Sequence, residues 1–184
     1  MLVERSDIDK AMHHWLEQVV IGLNLCPFAS LPHLQKRVRI ISSDCTDQTC
    51  LLDDLSTELE RMADHSPKEL ETTLIAIPEM LHDFYDYNQF LDLVDHLLVE
   101  QGWEGHFQVA SFHPDYQFGG TQPDDTENLT NRSPYPVLHI IREASLEQAI
   151  KHYPNPEQIP ERNIETVNNL TPEQKATLFP YLSK

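Results

Sequence analysis

The stretch SFHPDYQFGGTQPDDTENLTNRSPYPVLHIIRE, residues 111–143, decides how the sheet of this protein is built. It starts inside one apolar segment, Phe107–Phe112, and contains a second one, Val137–Ile141. The polar residues between these two segments show no helical period. A strand that follows such a loop, rather than a crossover helix, is free to run antiparallel to the strand before it. The stretch therefore favours a last strand that lies antiparallel beside Phe107–Phe112.

Helices and strands alternate in the chain before this stretch. Apolar residues at helical spacing predict one helix around Trp15, another around Leu55 and a third at about residues 83–101. The apolar segments Arg37–Ile41 and Thr72–Ile77 predict strands between them. Strands joined by helical crossovers are parallel. Thr72–Ile77 is apolar on both faces, which is typical of a central strand in a covered sheet.

The predicted fold class is α/β, a sandwich of packed helices on a four-stranded mixed sheet whose first three strands are parallel. A chain of 184 residues normally forms one domain, so we expect a single domain over residues 1–184. We expect Ser145 to cap a helix after the last strand. From about residue 154 the sequence is a proline-rich C-terminal extension, with helical turns near Asn163–Leu170 and at Pro172–Leu178.

The net charge of −17, from 13 basic and 30 acidic side chains, bears on the choice of partner. Such a chain repels polyanions at long range, so nucleic acid and anionic membrane surfaces are poor candidates. The N-terminal residues contain no apolar segment of a secretory signal. We therefore expect a cytoplasmic protein.

The three cysteines are Cys26, Cys45 and Cys50. Thiols stay reduced in the cytoplasm, so we expect three free thiols. The spacing of Cys45 and Cys50 is not the C-x-x-C of redox or zinc sites, and we predict no disulfide between them.

The candidate site lies at the carboxyl edge of the sheet, where ligands of open α/β folds bind. His113 follows the third strand directly, and His139 lies three residues into the fourth. The candidate catalytic residues are Cys26, His113, Asp115 and His139. We predict that these four residues and Arg132 line one pocket. The four candidate catalytic residues also have a structural interpretation. Cys26 and the two histidines could be core residues, and Asp115 could form a turn.

Further polar and glycine residues of the stretch could bind a substrate. Gly119 and Gly120 allow close approach of a ligand to the backbone, or simply form a turn. The guanidinium of Arg132 fits a carboxylate or phosphate, unless it pairs internally with Asp124 or Asp125. The candidate substrate-binding residues are Gly119, Gly120, Asn128, Asn131, Arg132, Ser133 and Arg142.

These residues support two hypotheses of different classes. The first is an enzyme acting on a small anionic molecule, in which Cys26 is a nucleophile activated by a histidine. A variant of this hypothesis places a divalent metal such as zinc or iron on His113, Asp115 and His139. The second hypothesis is a non-catalytic protein that uses the stretch as a rigid surface for a ligand or partner. The residues favour a small-molecule ligand and do not determine the oligomeric state.

Three segments resemble one known family: GLNLCPFA at residues 22–29, FHPDYQFGGTQPDDTENLTNRSPYP at residues 112–136, and HIIRE at residues 139–143. The chain is similar to the family called domain of unknown function 1415, from Trp15 to about Ile150. The resemblance implies a stand-alone bacterial domain in the cytosol, and it transfers no catalytic residue.

Overall fold

The computed structural model describes residues 4–182. The strands are β1 (Val38–Ser42), β2 (Thr72–Ala76), β3 (Phe107–Phe112) and β4 (Val137–Arg142). The α-helices are α1 (Arg5–His14), α2 (Ser30–Leu34), α3 (Gln48–Asp64), α4 (Phe84–Glu100), α5 (Glu143–His152), α6 (Ile159–Asn168) and α7 (Pro172–Leu178). A π-helix, Trp15–Ile21, continues α1, and short 3₁₀ helices span Thr126–Asn131, Pro156–Gln158 and Pro180–Leu182.

The four strands form one mixed sheet in the order β1-β2-β4-β3. β1 is parallel to β2, and β4 is antiparallel to both β2 and β3. The first three strands therefore point the same way, which confirms the predicted mixed sheet. β4 lies between β2 and β3, so β3 is not a neighbour of β2. Val137, Leu138 and Ile140 are fully buried, which suits β4 to the middle of the sheet rather than to its edge.

Helices cover both faces of the sheet. On one face, α3 and α4 bury Leu51, Leu55, Phe90 and their neighbours against the strands. On the other face, α1 and the π-helix bury Met12 and Trp15. The proline-rich C-terminal segment packs onto this second face, because Val167 of α6 and Phe179 just after α7 belong to the same cluster.

Two helices differ from the sequence-based expectation in where they begin. α5 begins at Glu143 with Arg142 as its N-cap, three residues before the expected cap at Ser145. Strand β4 runs directly into this helix, and the Glu143 N–H donates to the His106 carbonyl at 3.0 Å. α6 begins at Ile159, with a proline at its second position, earlier than the turn expected near Asn163.

The prediction of three free thiols is wrong, because Cys45 and Cys50 form a disulfide. Cys45 follows the end of β1, and Cys50 is the third residue of α3. The Asp47 carboxylate caps this helix by accepting the Cys50 N–H at 3.0 Å. The tight connection brings the two Cα atoms to 5.6 Å, a normal separation for a disulfide. Cys26 is a free thiol.

Among residues 4–182, no helix is both long enough and apolar enough to cross a membrane.

Candidate functional site

His113 is fully buried, and both of its ring nitrogens bind backbone groups. Nδ1 accepts the Asp115 N–H at 2.9 Å, so the proton is on Nε2, which donates to the Leu81 carbonyl at 2.9 Å. The ring packs against Phe84 and Tyr87. Desolvation lowers the pKa of His113 and favours this neutral form. His113 therefore holds three segments together, and Asp115 contributes its backbone while its side chain is exposed.

Asn128 holds the middle of the stretch in place. Its fully buried side chain accepts the Phe118 N–H at 3.0 Å and the Thr121 hydroxyl at 2.9 Å. It donates to the Gln122 carbonyl at 2.8 Å. The exposed pair of glycines lies within this turn, where Gly120 has a φ of +84°, a conformation that favours glycine.

Arg132 links the end of the stretch to its earlier part through hydrogen bonds. Its guanidinium donates to the Tyr116 carbonyl at 3.2 Å and to the Pro123 carbonyl at 2.6 Å. Its partners are therefore internal, as the structural alternative expected, but they are backbone oxygens rather than the carboxylates of Asp124 or Asp125. The neighbouring polar side chains also bind backbone: Asn131 donates to the Ser111 carbonyl at 3.2 Å, and Ser133 to the Tyr135 carbonyl at 2.5 Å.

Cys26 lies at the turn that follows the π-helix, next to the C-terminal segment. Its neighbour Phe28 packs edge-on against Tyr153, and Asn163 donates to the Leu25 carbonyl at 2.8 Å. Burial raises the pKa of the Cys26 thiol. The thiol form therefore dominates at neutral pH, which weakens Cys26 as a nucleophile.

His139 points from the middle of β4 towards the face covered by α1. Thr72 donates its hydroxyl proton to the Ile140 carbonyl at 2.6 Å, so Nε2–H of His139 donates to this hydroxyl at 2.7 Å. Desolvation lowers the pKa of His139 to about 4. The residue is therefore a neutral histidine with a hydrogen-bond partner inside the sheet.

Arg142 lies at the far end of β4, opposite Phe107 at the start of β3. It donates to the carbonyls of Met62, His65 and Leu70. β4 has six residues, so Arg142 is about 17 Å along the strand from Val137 and the predicted site. The structure therefore places Arg142 at the edge opposite to that site.

The sequence-predicted site residues between His113 and Ser133 belong to a hydrogen-bonded clasp, by which we mean this stretch and its backbone contacts. Cys26, His139 and Arg142 lie outside the clasp. Within residues 4–182, the Asp115 N–H bond to His113 is the only hydrogen bond that joins any two of Cys26, His113, Asp115, Arg132 and His139. Over the same residues, no group of three or more histidine, cysteine or acidic side chains has the spacing of a metal site.

A cleft of about 580 Å³ lies on another part of the molecule, over β1. Its walls come from both helical layers, with Arg5 and Asp9 of α1 on one side and Thr57 of α3 on the other. The remaining lining residues are Arg39, Ile41, Ser42, Asp44, Cys45, Cys50, Asp54 and Glu58. The cleft therefore straddles the edge of the sheet and contains the disulfide.

The Cys45–Cys50 pair has one buried and one more accessible member. Cys45 is only 5% exposed, whereas Cys50 is half-buried. Sγ of Cys45 lies 3.4 Å from Oδ2 of Asp54, a distance at which the reduced thiol would donate to this carboxylate. Asp54 also accepts the Ser43 hydroxyl at 2.7 Å. An accessible sulfur next to a buried one with a proton acceptor is an arrangement suited to thiol–disulfide exchange.

Cys50 lies at the N-terminal end of a long helix. α3 has 17 residues, and Cys50 lies in its first turn. The partial positive charge at a helix N-terminus stabilises a nearby anion, including a cysteine thiolate. Of the two cysteines, Cys50 is therefore the one placed to attack a substrate.

The charged side chains of the cleft are mostly paired with one another. Arg5 binds Asp44, and Arg39 binds Glu58 at 2.8 Å. Glu58 is only 3% exposed, and Arg61 also binds it at 3.3 Å. These pairs fix the walls of the cleft on either side of β1.

Sequence reasoning considered Cys45 and Cys50 but did not bring them together. The signal was available, because Cys45 lies three residues beyond β1 and Cys50 lies in the first turn of the next helix. A strand and a helix joined by so short a loop hold such residues close in space. The position of CTDQTC between a strand and a helix therefore indicated that its two cysteines lie close together. A comparison with C-x-x-C patterns alone did not reveal this proximity.

Comparison with known proteins gives one match. A family model described as protein of unknown function (DUF1415) matches residues 7–177. No curated protein and no solved structure matches the chain.

Proposed function

The chain belongs to the DUF1415 family of proteins of unknown function, and we propose from its geometry that it is a thiol–disulfide exchange enzyme. The redox pair is Cys45 and Cys50. The observation that carries this proposal is the asymmetry of the pair, in which Cys50 is half-buried in a cleft and Cys45 is buried beside Asp54. The proposal keeps the sequence-based expectation of a thiol enzyme but moves the reactive thiol away from Cys26.

The reaction begins from the reduced protein. The Cys50 thiolate attacks one sulfur of a substrate disulfide, forming a mixed disulfide and releasing the other substrate sulfur as a thiolate, which takes a proton from solvent. Cys45 then loses its proton to Asp54 and attacks Sγ of Cys50. This step forms the Cys45–Cys50 disulfide and releases the second substrate thiolate. The substrate gains two electrons, the protein loses two, and a dithiol reductant returns the protein to its starting state.

We propose the cytoplasm of a bacterium as the location, following the N-terminal sequence and the family resemblance. Cytosolic disulfides are rare, and those that exist are usually transient and catalytic or redox-sensing. A disulfide in this compartment therefore supports an exchange reaction more than a purely structural role.

The sequence predicts a substrate-binding site in the clasp and a small anionic substrate, and both stay predictions. A substrate could use the His113 ring only by displacing the backbone groups that its two nitrogens already bind. Asn128 is fully buried, and Arg132 is part-buried and already donates to two carbonyls. Arg5 and Arg39 supply positive charge in the cleft, but each already binds a carboxylate. The geometry therefore gives the disulfide cleft more support than the clasp.

The proposal is tested with single serine variants and a small aromatic disulfide as the probe. Reduced wild-type protein should reduce the probe and end with the Cys45–Cys50 disulfide. Cys50→Ser should abolish the reaction, whereas Cys45→Ser should stop at a mixed disulfide on Cys50, seen by mass spectrometry. Cys26→Ser is the matched control and should react like wild type.

Two results would overturn the proposal. The first is a reaction that depends on Cys26 rather than on Cys50. The second is a Cys45–Cys50 disulfide with a reduction potential below about −300 mV, the range of structural disulfides, together with no exchange. In the second case, the non-catalytic hypothesis with the clasp as a rigid binding surface would become the better one.

A further inference from the structure

We propose that the cleft binds an extended polypeptide segment as an added strand on the outer edge of β1, and presents a cysteine of that segment to Cys50. The inference rests on the proposed exchange reaction and names its substrate class, which is a protein or peptide disulfide. Three features of the described residues carry it: the free edge of β1, the position of the disulfide and the charge of the cleft.

The outer edge of β1 offers unpaired backbone groups. β1 is the first strand of the sheet, and β2 is its hydrogen-bonded neighbour. The Arg37 carbonyl accepts the N–H of Glu71, and the Ser43 N–H donates to the Ala76 carbonyl. Backbone groups alternate in direction along a strand, so odd-numbered residues face β2 and the groups of Val38, Ile40 and Ser42 face outwards.

The outward groups have no backbone partner in residues 4–182. All residues of β1 are half-buried, so solvent reaches the strand between the two helical layers. An exposed edge of this kind is a template for another strand, and many proteins bind peptides in this way. The main-chain bonds supply affinity, while pockets for alternate side chains supply specificity.

The disulfide lies at the end of this edge. Cys45 follows Ser42 by three residues, and both cysteines line the same cleft as Arg39, Ile41 and Ser42. A segment paired with the five residues of β1 would extend about 17 Å and run towards the sulfur atoms. The substrate cysteine would thus lie at one end of the added strand, where the Cys50 thiolate attacks its disulfide.

The charge of the cleft selects among extended segments. Four carboxylates line it, those of Asp9, Asp44, Asp54 and Glu58, against the guanidinium groups of Arg5 and Arg39. The whole chain carries a net charge of −17. A segment with lysine or arginine near its cysteine is therefore attracted, and an acidic one is repelled.

The test compares two probes that carry the same leaving group. One is a short peptide of alternating valine and lysine residues with one cysteine, held as a mixed disulfide with thionitrobenzoate. The other is free cysteine with the same thionitrobenzoate group. In each reaction the Cys50 thiolate bonds to the cysteine sulfur and thionitrobenzoate leaves as a coloured thiolate. The reduced full-length protein should show a higher kcat/KM with the peptide.

The variant Ser42→Pro, with Asn88→Ala as its control, separates edge binding from chemistry. Proline removes the outward N–H but no bond to β2, and edge strands tolerate it. We expect Ser42→Pro to lower kcat/KM for the peptide about tenfold, through a lost hydrogen bond and a steric clash. The free-cysteine reaction should change less than about twofold. Asn88→Ala, on the exposed face of α4 and outside the cleft lining, is the control and should match wild type with both probes.

If Ser42→Pro fails to fold, a second measurement tests edge binding with the wild-type protein. The peptide probe is methylated on alternate backbone nitrogens and given to the wild-type protein, where it should lose its advantage over free cysteine. The inference is overturned, with the proposed function intact, if both probes react equally or if the methylated peptide reacts as well as its parent. If neither probe reacts with Cys50, the proposed function itself has failed.

Discussion

The clasp and the disulfide cleft differ in where their polar groups find partners. In the clasp, the buried His113 and Asn128, and the part-buried Arg132, each bind two or more backbone groups. In the cleft, the guanidinium groups of Arg5 and Arg39 pair with carboxylates of other side chains, and Cys50 remains half-buried. The two ring nitrogens of His113 are already occupied, whereas the cleft keeps the unpaired outer edge of β1 and the half-buried Cys50 among the described residues.

This difference shows that a dense set of polar residues can serve to hold a loop in one conformation. A loop of over twenty residues without regular strands has many backbone groups that must be satisfied when it is partly buried. Residues such as asparagine and arginine can satisfy them, and their pattern in the sequence then looks like that of a binding site. The following measurements test whether the two regions divide their roles in this way.

Asn128→Ala should have the largest effect on stability. The change leaves the Phe118 N–H and the Gln122 carbonyl without their buried partner, at a cost of about 3 kcal/mol in the free energy of unfolding. Urea denaturation measures the loss, with Asn88→Ala on the exposed face of α4 as the control. A stable variant that has lost activity would move the site back to the clasp.

Reduction of the disulfide should have the next largest effect. The bond closes a loop with a sequence separation of 5, which corresponds to about 2 kcal/mol of chain entropy. Urea denaturation with and without a dithiol reductant should show this difference, and Cys45→Ser should not respond to the reductant. A much larger loss would indicate that the disulfide is a structural requirement rather than a redox pair.

The free energy of unfolding should depend on pH through His113 and His139. The pKa values of both histidines are lowered in the folded protein. A histidine with a folded pKa of about 4 takes up a proton in the unfolded state first, since its unfolded pKa is about 6.5. Stability is therefore highest above pH ~6.5 and is lost as the pH falls towards about 4.

For His139 alone, the loss between pH ~7 and pH ~5 is about 2 kcal/mol in the free energy of unfolding. Urea denaturation at the two pH values should show a smaller difference for His139→Gln than for wild type. His13→Gln, on the exposed side of α1, should leave the pH dependence unchanged. Equal pH dependence in all three proteins would contradict the neutral, desolvated state of His139.

Arg132→Ala should have the smallest effect of the four. Its two bonds to carbonyls are lost, but water can replace part of them, so we expect about 1 kcal/mol. The melting temperature should fall slightly compared with Lys68→Ala, an exposed control on a turn. If Arg132→Ala instead keeps its stability and loses the binding of an anionic ligand, the sequence-based hypothesis of a substrate-binding arginine is the better one.

Much of the fold could be predicted from the sequence because hydrophobic periodicity is a local property. β3 has the expected bounds, Phe107–Phe112, and β2 is a central strand as its apolar faces indicated. Asp47 and Thr171 cap α3 and α7, and both are residue types that favour the N-cap position. Strand directions also followed, since a helical crossover gives parallel strands and a long loop allows an antiparallel return.

The sequence by itself determined the four strands, most of the helices, the strand directions and the family of this protein. The tertiary structure alone decided that β4 lies between β2 and β3, that Cys45 meets Cys50, and that Arg132 binds the Pro123 carbonyl. The physical reason is that a polar or thiol side chain takes its role from whichever group lies within about 3 Å in space. Residue type shows what such a group is able to bind, but its partner is set by the packing of segments that are distant in the chain.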